Sequence, residues 1–148
     1  MQHAPAPQAG STLIESVVAA LVVAIGLLGV IALHLEALRA TRTALVRTQA
    51  VVLAADLADR IRAHPAPAQA YDCGVGCTAG DGGDAQAIAD LEDWLDAVAA
   101  RLPRGVASVL FAAGVPARYD IELSWAEGGS ERVGYRLEMA VGAGNGVP

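Results

Sequence analysis

The feature that most constrains the fold is an uncharged apolar stretch near the start of the chain, from Ser16 to Leu33. Valine, leucine, isoleucine and alanine fill nearly all of its positions. At a helical rise of ~1.5 Å per residue, the stretch covers about 27 Å, roughly the thickness of the hydrocarbon core of a bilayer. Because backbone polar groups in lipid must pair within the segment, the sequence predicts a membrane-spanning helix here.

A single acidic residue, Glu15, lies at the leading edge of this stretch. A carboxylate inside a membrane costs about 2.5–3.5 kcal/mol on insertion scales, so Glu15 needs either a partner or a route to the headgroups. If the helix begins at Ser11, Glu15 lies in its first turn, where the positive end of the helix dipole stabilises an anion.

The segment Gly10-Ser11-Thr12-Leu13-Ile14-Glu15 resembles the class III signal of type IV pilins and type II secretion pseudopilins. The resemblance implies that a prepilin peptidase cuts after Gly10 and that the new N-terminus, Ser11, is methylated. It also implies that Glu15 acts in subunit assembly by pairing with the N-terminal amine of a neighbouring subunit. Two features differ from the family pattern: the first mature residue is Ser11 rather than phenylalanine, and the leader has no lysine or arginine.

The resemblance divides the chain into three parts. Residues 1–10 are the expected leader peptide, residues 11–33 the transmembrane and assembly half of the helix, and residues 34–148 a periplasmic head that includes the amphipathic half of the helix. Arg39, Arg42 and Arg47 follow the apolar stretch, and by the positive-inside rule they favour a cytoplasmic location for the head. The pilin resemblance implies the opposite: a single-pass inner-membrane protein with a periplasmic head, which later enters the pilus at the tip or base of the fibre. We expect the second topology.

The helix is predicted to continue to Ala63, because the residues from His34 onward contain no proline or glycine up to that point. The prolines that follow His64 end it. The apolar residues that recur at helical spacing in this half, and should form its buried face, are Leu45, Val46, Leu53, Leu57 and Ile61.

The two cysteines, Cys73 and Cys77, lie in a glycine-rich loop. The three residues between them allow a small disulfide ring, which we favour over free thiols. A metal site would need further ligands, and His64, the nearest histidine, is not close in sequence.

The rest of the chain predicts a second helix and a small sheet. The second helix runs from Asp84, its expected cap, to Leu102; Asp90, Glu92, Asp93 and Asp96 are expected on a solvated face. Its apolar face consists of Ile88, Leu91, Leu95, Val98 and Leu102. Alternating residues on both sides of a Gly-Gly loop predict a β-hairpin, and Val106–Phe111 another strand. The hairpin face expected to cover the long helix is Tyr119, Ile121, Leu123 and Trp125.

The predicted fold is therefore α+β: a long N-terminal helix packed on a small antiparallel sheet, with a second, shorter helix. With the signal and the loop cysteines, it resembles a PilV-type minor pilin. The resemblance implies a structural subunit that primes or modifies type IV pilus assembly. Its implied partners are other minor and major pilins, the prepilin peptidase, the inner-membrane assembly platform and, before assembly, the lipid bilayer.

Two alternatives stay open: a minor pseudopilin of type II secretion, and an adhesion or DNA-binding subunit displayed on a filament. The net charge of −6 does not favour nucleic acid as a partner, because phosphate binding needs clustered cations. We predict no enzymatic activity, no cofactor and no metal. The sequence has no paired nucleophile and base, no phosphate-binding glycine loop and no cluster of metal ligands.

Overall fold

The structure is a computed structural model that describes residues 11–64, 69–77, 84–128 and 131–141. The predicted leader, residues 1–10, lies outside the described residues. The chain divides into two compact units, Met1–Arg42 and Thr43–Pro148.

Two helices and four strands make up the described residues. The helices are α1 (Ser11–Ala63) and α2 (Ala85–Arg101), and the strands are β1 (Gly74–Val75), β2 (Val106–Ala112), β3 (Ala117–Ala126) and β4 (Arg132–Val141). The strands form one antiparallel sheet in the order β1-β2-β3-β4. The predicted α+β arrangement of a long helix, a shorter helix and a small antiparallel sheet is confirmed.

Helix α1 has the predicted bounds, and its last residues form one side of the core of the second unit. The predicted Leu53, Leu57 and Ile61 are buried, but Leu45 is 58% exposed, so its assignment to the buried face was wrong. Alanines take the remaining core positions of this helix, at Ala50, Ala54 and Ala58. Small side chains at these positions allow the helix to pack closely against its neighbours.

Asp84 caps the start of helix α2 as predicted, and its side chain accepts a hydrogen bond from the backbone N–H of Ala87 at 2.9 Å. The centre of α2 is held against α1 by Trp94, which is fully buried and donates its indole N–H to the Leu53 carbonyl at 2.8 Å. The sequence placed neither residue at this contact. Of the predicted apolar face, Leu91, Val98 and Leu102 are buried, while Ile88 and Leu95 are half-buried.

The predicted hairpin is formed by β3 and β4, in a register without interruption from Ala117↔Val141 to Ala126↔Arg132. The inward side chains of β3 are all buried, and they are the predicted Tyr119, Ile121, Leu123 and Trp125. They belong to the same buried cluster as Leu53 and Leu57 of α1. The sheet thus supplies the other side of the core, as the alternation predicted.

Candidate assembly site

The first unit presents an apolar helical surface that no described residue covers. Every side chain of α1 from Thr12 to Arg42 is exposed, and Leu13, Ile14 and Leu33 are exposed by 69%, 69% and 74%. By length and composition, this helix is apolar enough to cross a membrane. An apolar surface of this extent is typical of a segment that is covered by lipid or by other proteins.

Glu15 is the only acidic residue in the N-terminal part of this surface, and its side chain is exposed. It is the fifth residue of α1, and the first helical turn contains no acidic residue. The prediction that Glu15 lies in the first turn was therefore wrong by one position, and the helix dipole contributes less than expected because its effect falls off beyond that turn. Among the residues that the structure describes, Glu15 has no ion-pair partner.

The structure describes one other residue of the predicted processing site. Ser11 is the first residue of α1, and Gly10 lies outside the described part of the chain. The neighbouring Ser16 hydroxyl donates to the carbonyl of Thr12 at 2.7 Å, so it is bound within the helix rather than to Glu15.

The two cysteines form a disulfide, with a Cα–Cα distance of 4.9 Å. Two glycines inside the ring, Gly74 and Gly76, have φ angles of 63° and 75°, which side chains other than glycine adopt with strain. The ring carries β1 and joins it to β2 through the N–H of Cys73, which donates to the Val109 carbonyl at 3.1 Å. Among the described residues no group of metal-binding side chains is present.

A polar cluster connects the end of α1 to α2 and the loop between them. The Tyr71 hydroxyl donates to Asp90 Oδ2 at 2.8 Å, and Arg60 Nη1 lies 3.6 Å from Asp90 Oδ1. The Asp90 side chain is only 15% exposed, so its predicted place on a solvated face was wrong. Burial, with the hydrogen bond to Asp90, raises the pKa of Tyr71 well above its ordinary value. The neutral Tyr71 hydroxyl and the Arg60 guanidinium therefore both stabilise the Asp90 carboxylate. Together they hold the end of α1 and the loop against α2.

A second pair in the same region joins the residue after α1 to the residue before α2. His64 Nε2 lies 3.1 Å from Asp84 Oδ1, the oxygen that also caps α2. The backbone hydrogen bond from Ala87 is the main cause that lowers the pKa of Asp84, and the bond to His64 adds to it. These partners stabilise a carboxylate and do not form a nucleophile–base pair.

Comparison with known proteins adds one match. A family model described as Tt1218-like, type IV pilin Tt1218, matches residues 32–81. The match supports the type IV pilin superfamily. Searches of curated proteins and of solved structures found no match.

The residues matched by the pilin model begin near the end of the apolar stretch and extend through the disulfide loop. They exclude the segment Gly10–Glu15, so the resemblance to the class III signal and the family match rest on different residues. The long helix, the shorter helix and the small antiparallel sheet are consistent with a type IV pilin fold.

Two contacts within the second unit were not predicted from the sequence. Tyr71 is buried and anchors the disulfide loop to α2, and Arg47 pairs with Glu127 at 3.2 Å at the turn of the hairpin. The signal for Tyr71 was present, because a lone tyrosine in a polar, glycine-rich loop is an apolar anchor with one polar end. The Arg47–Glu127 pair spans 80 residues of sequence and has no local signal.

Proposed function

We propose that this chain is a minor pilin, a structural subunit that primes or modifies the assembly of a type IV pilus. The observation that carries the proposal is the division of α1, which presents an exposed apolar surface up to Arg42 and a buried core face beyond Thr43. A subunit of this kind uses one part of a helix for assembly and the other part to hold its head. The family match supports a pilin-like structural subunit, which assembles with other pilins.

The same proposal includes processing and location. The prepilin peptidase cleaves between Gly10 and Ser11, Ser11 is N-methylated, and the chain waits in the inner membrane with its head in the periplasm. The disulfide between Cys73 and Cys77 supports the periplasmic side, since disulfides persist in oxidising compartments such as the periplasm and are rare in the cytosol. The assembly platform and the other pilins then draw the chain into the fibre.

Glu15 is the assembly residue in this proposal. When neighbouring helices cover the surface around it, a lone carboxylate among apolar side chains loses its water, and it then needs a partner to stay charged. The N-terminal amine of a neighbouring subunit supplies one. The exposed position of Glu15 supports this reading, because no described residue of its own chain pairs with it.

The test compares Glu15→Gln with Glu36→Gln. Glu36 is a matched control, since it is exposed on the same helix. Its ion pair with Arg39 is long, at 3.5 Å, and exposed to solvent. Both variants should reach the membrane, but Glu15→Gln should lower the amount recovered in sheared filaments by at least tenfold, while Glu36→Gln leaves it unchanged. Equal recovery of the two variants would contradict the assembly role of Glu15.

Two further measurements test processing and priming. Mass spectrometry of the mature protein should find a methylated N-terminal Ser11, and an intact Met1 would contradict cleavage. Deletion of the gene that encodes this chain should reduce the number of surface pili. Normal piliation in the deletion strain would contradict a priming role.

A further inference from the structure

A cavity at one end of the sheet contains a hydrogen-bond donor without an acceptor. The cavity has a volume of ≈ 220 Å³ and lies in the second unit, where β3 ends and β4 begins. Trp125 lines this cavity, is only 2% exposed, and has an indole N–H that finds no acceptor among the described residues. Because an unpaired buried N–H is costly, a partner that brings an acceptor into the cavity gains affinity from it.

The rest of the lining is mostly apolar and determines what kind of group fits. It consists of Arg47, Val51, Val133, Gly134 and Tyr135. The charge of Arg47 is already balanced by Glu127, which lies 3.2 Å away, so the cavity does not favour an ion. An apolar cavity of about 150 Å³ holds a benzene molecule, and this cavity therefore has room for a valine or leucine side chain. The lining fits an apolar side chain with a neutral acceptor, such as a backbone carbonyl, beside it.

A group of this kind is exposed at the opposite end of the same sheet. In the turn between β2 and β3, the Val115 side chain is 104% exposed, the highest value among the exposed large apolar side chains of the described residues. The Val115 carbonyl accepts no hydrogen bond from the part of the chain that the structure describes. The next residue is Pro116, whose ring fixes its φ angle and limits the conformations of the turn. The turn thus presents an apolar side chain and a free carbonyl together.

The valine and the cavity cannot meet within one chain. Val115 lies just before Ala117, the first residue of β3, whereas Trp125 is next to Ala126, the last residue of that strand. A strand rises ~3.3 Å per residue, so the stretch from Ala117 to Trp125 keeps the two groups about 26 Å apart. The apolar group that fills the cavity must come from another molecule, and a second copy of this chain carries one.

Charged side chains do not oppose an approach of the turn to the cavity. Arg47 at the cavity is paired with Glu127, and Arg118 beside the turn is paired with Glu138 at 2.7 Å. Since each of these charges has a partner within its own chain, the contact between copies depends on apolar burial and on the hydrogen bond to Trp125. A single turn buries far less than the ~800 Å² per partner of a standard interface, so we expect weak association.

We propose that copies of this chain associate through a heterologous contact, in which the Val115 side chain of one copy enters the cavity of the next. The Val115 carbonyl then accepts a hydrogen bond from the indole N–H of Trp125 in that copy. Each pair keeps one free turn and one free cavity, so further copies can add. This contact requires neither Glu15 nor processing of the N-terminus, so it and the proposed function fail separately.

The first test uses two variants that each lose one half of the contact. Val115→Asp removes the apolar side chain of the turn, and Val51→Phe fills the cavity from α1, where Val51 is 43% exposed. Sedimentation velocity is measured on the full chain in detergent micelles, at high chain concentration. Salt at about 0.15 M screens the net charge of −6. The unmodified chain should form dimers and larger species, and each variant alone should stay monomeric.

An equal mixture of the two variants should form a dimer, because one variant supplies the cavity and the other supplies the valine. Two controls should associate as the unmodified chain does: Val115→Leu keeps an apolar side chain, and Val52→Phe changes an exposed valine outside the cavity. A monomeric mixture would overturn the heterologous contact, and so would a monomeric unmodified chain.

The second test observes the hydrogen bond by NMR, with a cyclised peptide of the sequence of residues 112–118 as the probe. The peptide is added to the Val115→Asp chain, whose tryptophans are labelled with ¹⁵N. The indole proton of Trp125 should shift downfield, while that of Trp94, which already donates to the Leu53 carbonyl, should not move. The peptide with Val115→Asp should bind at least tenfold more weakly, since it buries no valine. An unchanged Trp125 signal would overturn the proposal.

Discussion

The two tryptophans of the head allow a paired test of how the core is held. Both are buried, but Trp94 donates its indole N–H to the Leu53 carbonyl, whereas the indole nitrogen of Trp125 has no hydrogen-bond partner among the described residues. Replacing each with phenylalanine removes a similar volume and, in each case, one N–H group. Any difference between the two variants therefore reports on the hydrogen bond.

For Trp94→Phe, the lost bond costs about 0.5–1.5 kcal/mol, and the volume lost from the core adds about 1 kcal/mol. For Trp125→Phe, the same loss of volume is offset because a buried, unpaired N–H costs about 1–3 kcal/mol and disappears with the substitution. We expect Trp94→Phe to lower the free energy of unfolding by about 2 kcal/mol, and Trp125→Phe to leave it unchanged or to raise it by up to about 2 kcal/mol.

Urea unfolding of the full chain in detergent, followed by circular dichroism, measures both values. In thermal unfolding a difference of about 2 kcal/mol, the smallest expected, corresponds to about 8 °C in Tm for a unit of this size. An equal loss in the two variants, or a larger loss for Trp125→Phe, would refute the claim that the indole bond to α1 holds α2 in place.

Three other predictions concern the loop and its flanks. The pKa of Asp84 is lower in the folded than in the unfolded state, so its contribution to stability is present above about pH 4 and is lost as the pH falls through the folded pKa. Asparagine also caps helices, so Asp84→Asn should show a smaller fall of Tm below about pH 4 than the unmodified chain. The pKa of Tyr71 is raised in the folded state, so its contribution to stability is complete below about pH 10 and is lost as the pH rises above that value. Tyr71→Phe also loses the hydrogen bond to Asp90, and its Tm should fall less steeply in alkali than that of the unmodified chain. Replacing Cys73 and Cys77 together by serine should cost about 2 kcal/mol, the closure entropy of so short a loop, and a reductant should then lower the Tm of the unmodified chain alone.

The elements of the fold could be predicted because each has a local period. The alternation along β3 and β4 placed both strands and the inner face of the hairpin. Asp84 marked the start of α2, and the absence of proline and glycine gave α1 its full length to Ala63. Local spacing is sufficient where one face of an element meets the core along its whole length.

The polar network could not be predicted in the same way, since its partners come from distant parts of the chain. Asp90 has three acidic neighbours on α2, so its sequence context is that of a solvated face. It is taken out of solvent by Tyr71 and Arg60, which lie 19 and 30 residues away in sequence. A buried tyrosine hydroxyl needs a hydrogen-bond acceptor, and of the four acidic residues on α2 it is Asp90 that accepts from Tyr71.

The apolar residues of α1 show why residue type alone does not decide burial. Leu35, Leu38 and Leu45 are exposed by 51%, 50% and 58%, while Leu53 and Leu57, on the same helix, are exposed by at most 1%. Composition and helical period are alike in both groups, but only Leu53 and Leu57 belong to the buried core of the second unit. Arginines lie among the exposed leucines, at Arg39, Arg42 and Arg47. Burying this surface of leucines and arginines in lipid alone is unfavourable, because charged side chains are costly in hydrocarbon. Neighbouring helices that carry acidic and apolar residues can pair with the arginines and cover the leucines. The proposed filament supplies neighbours of this kind.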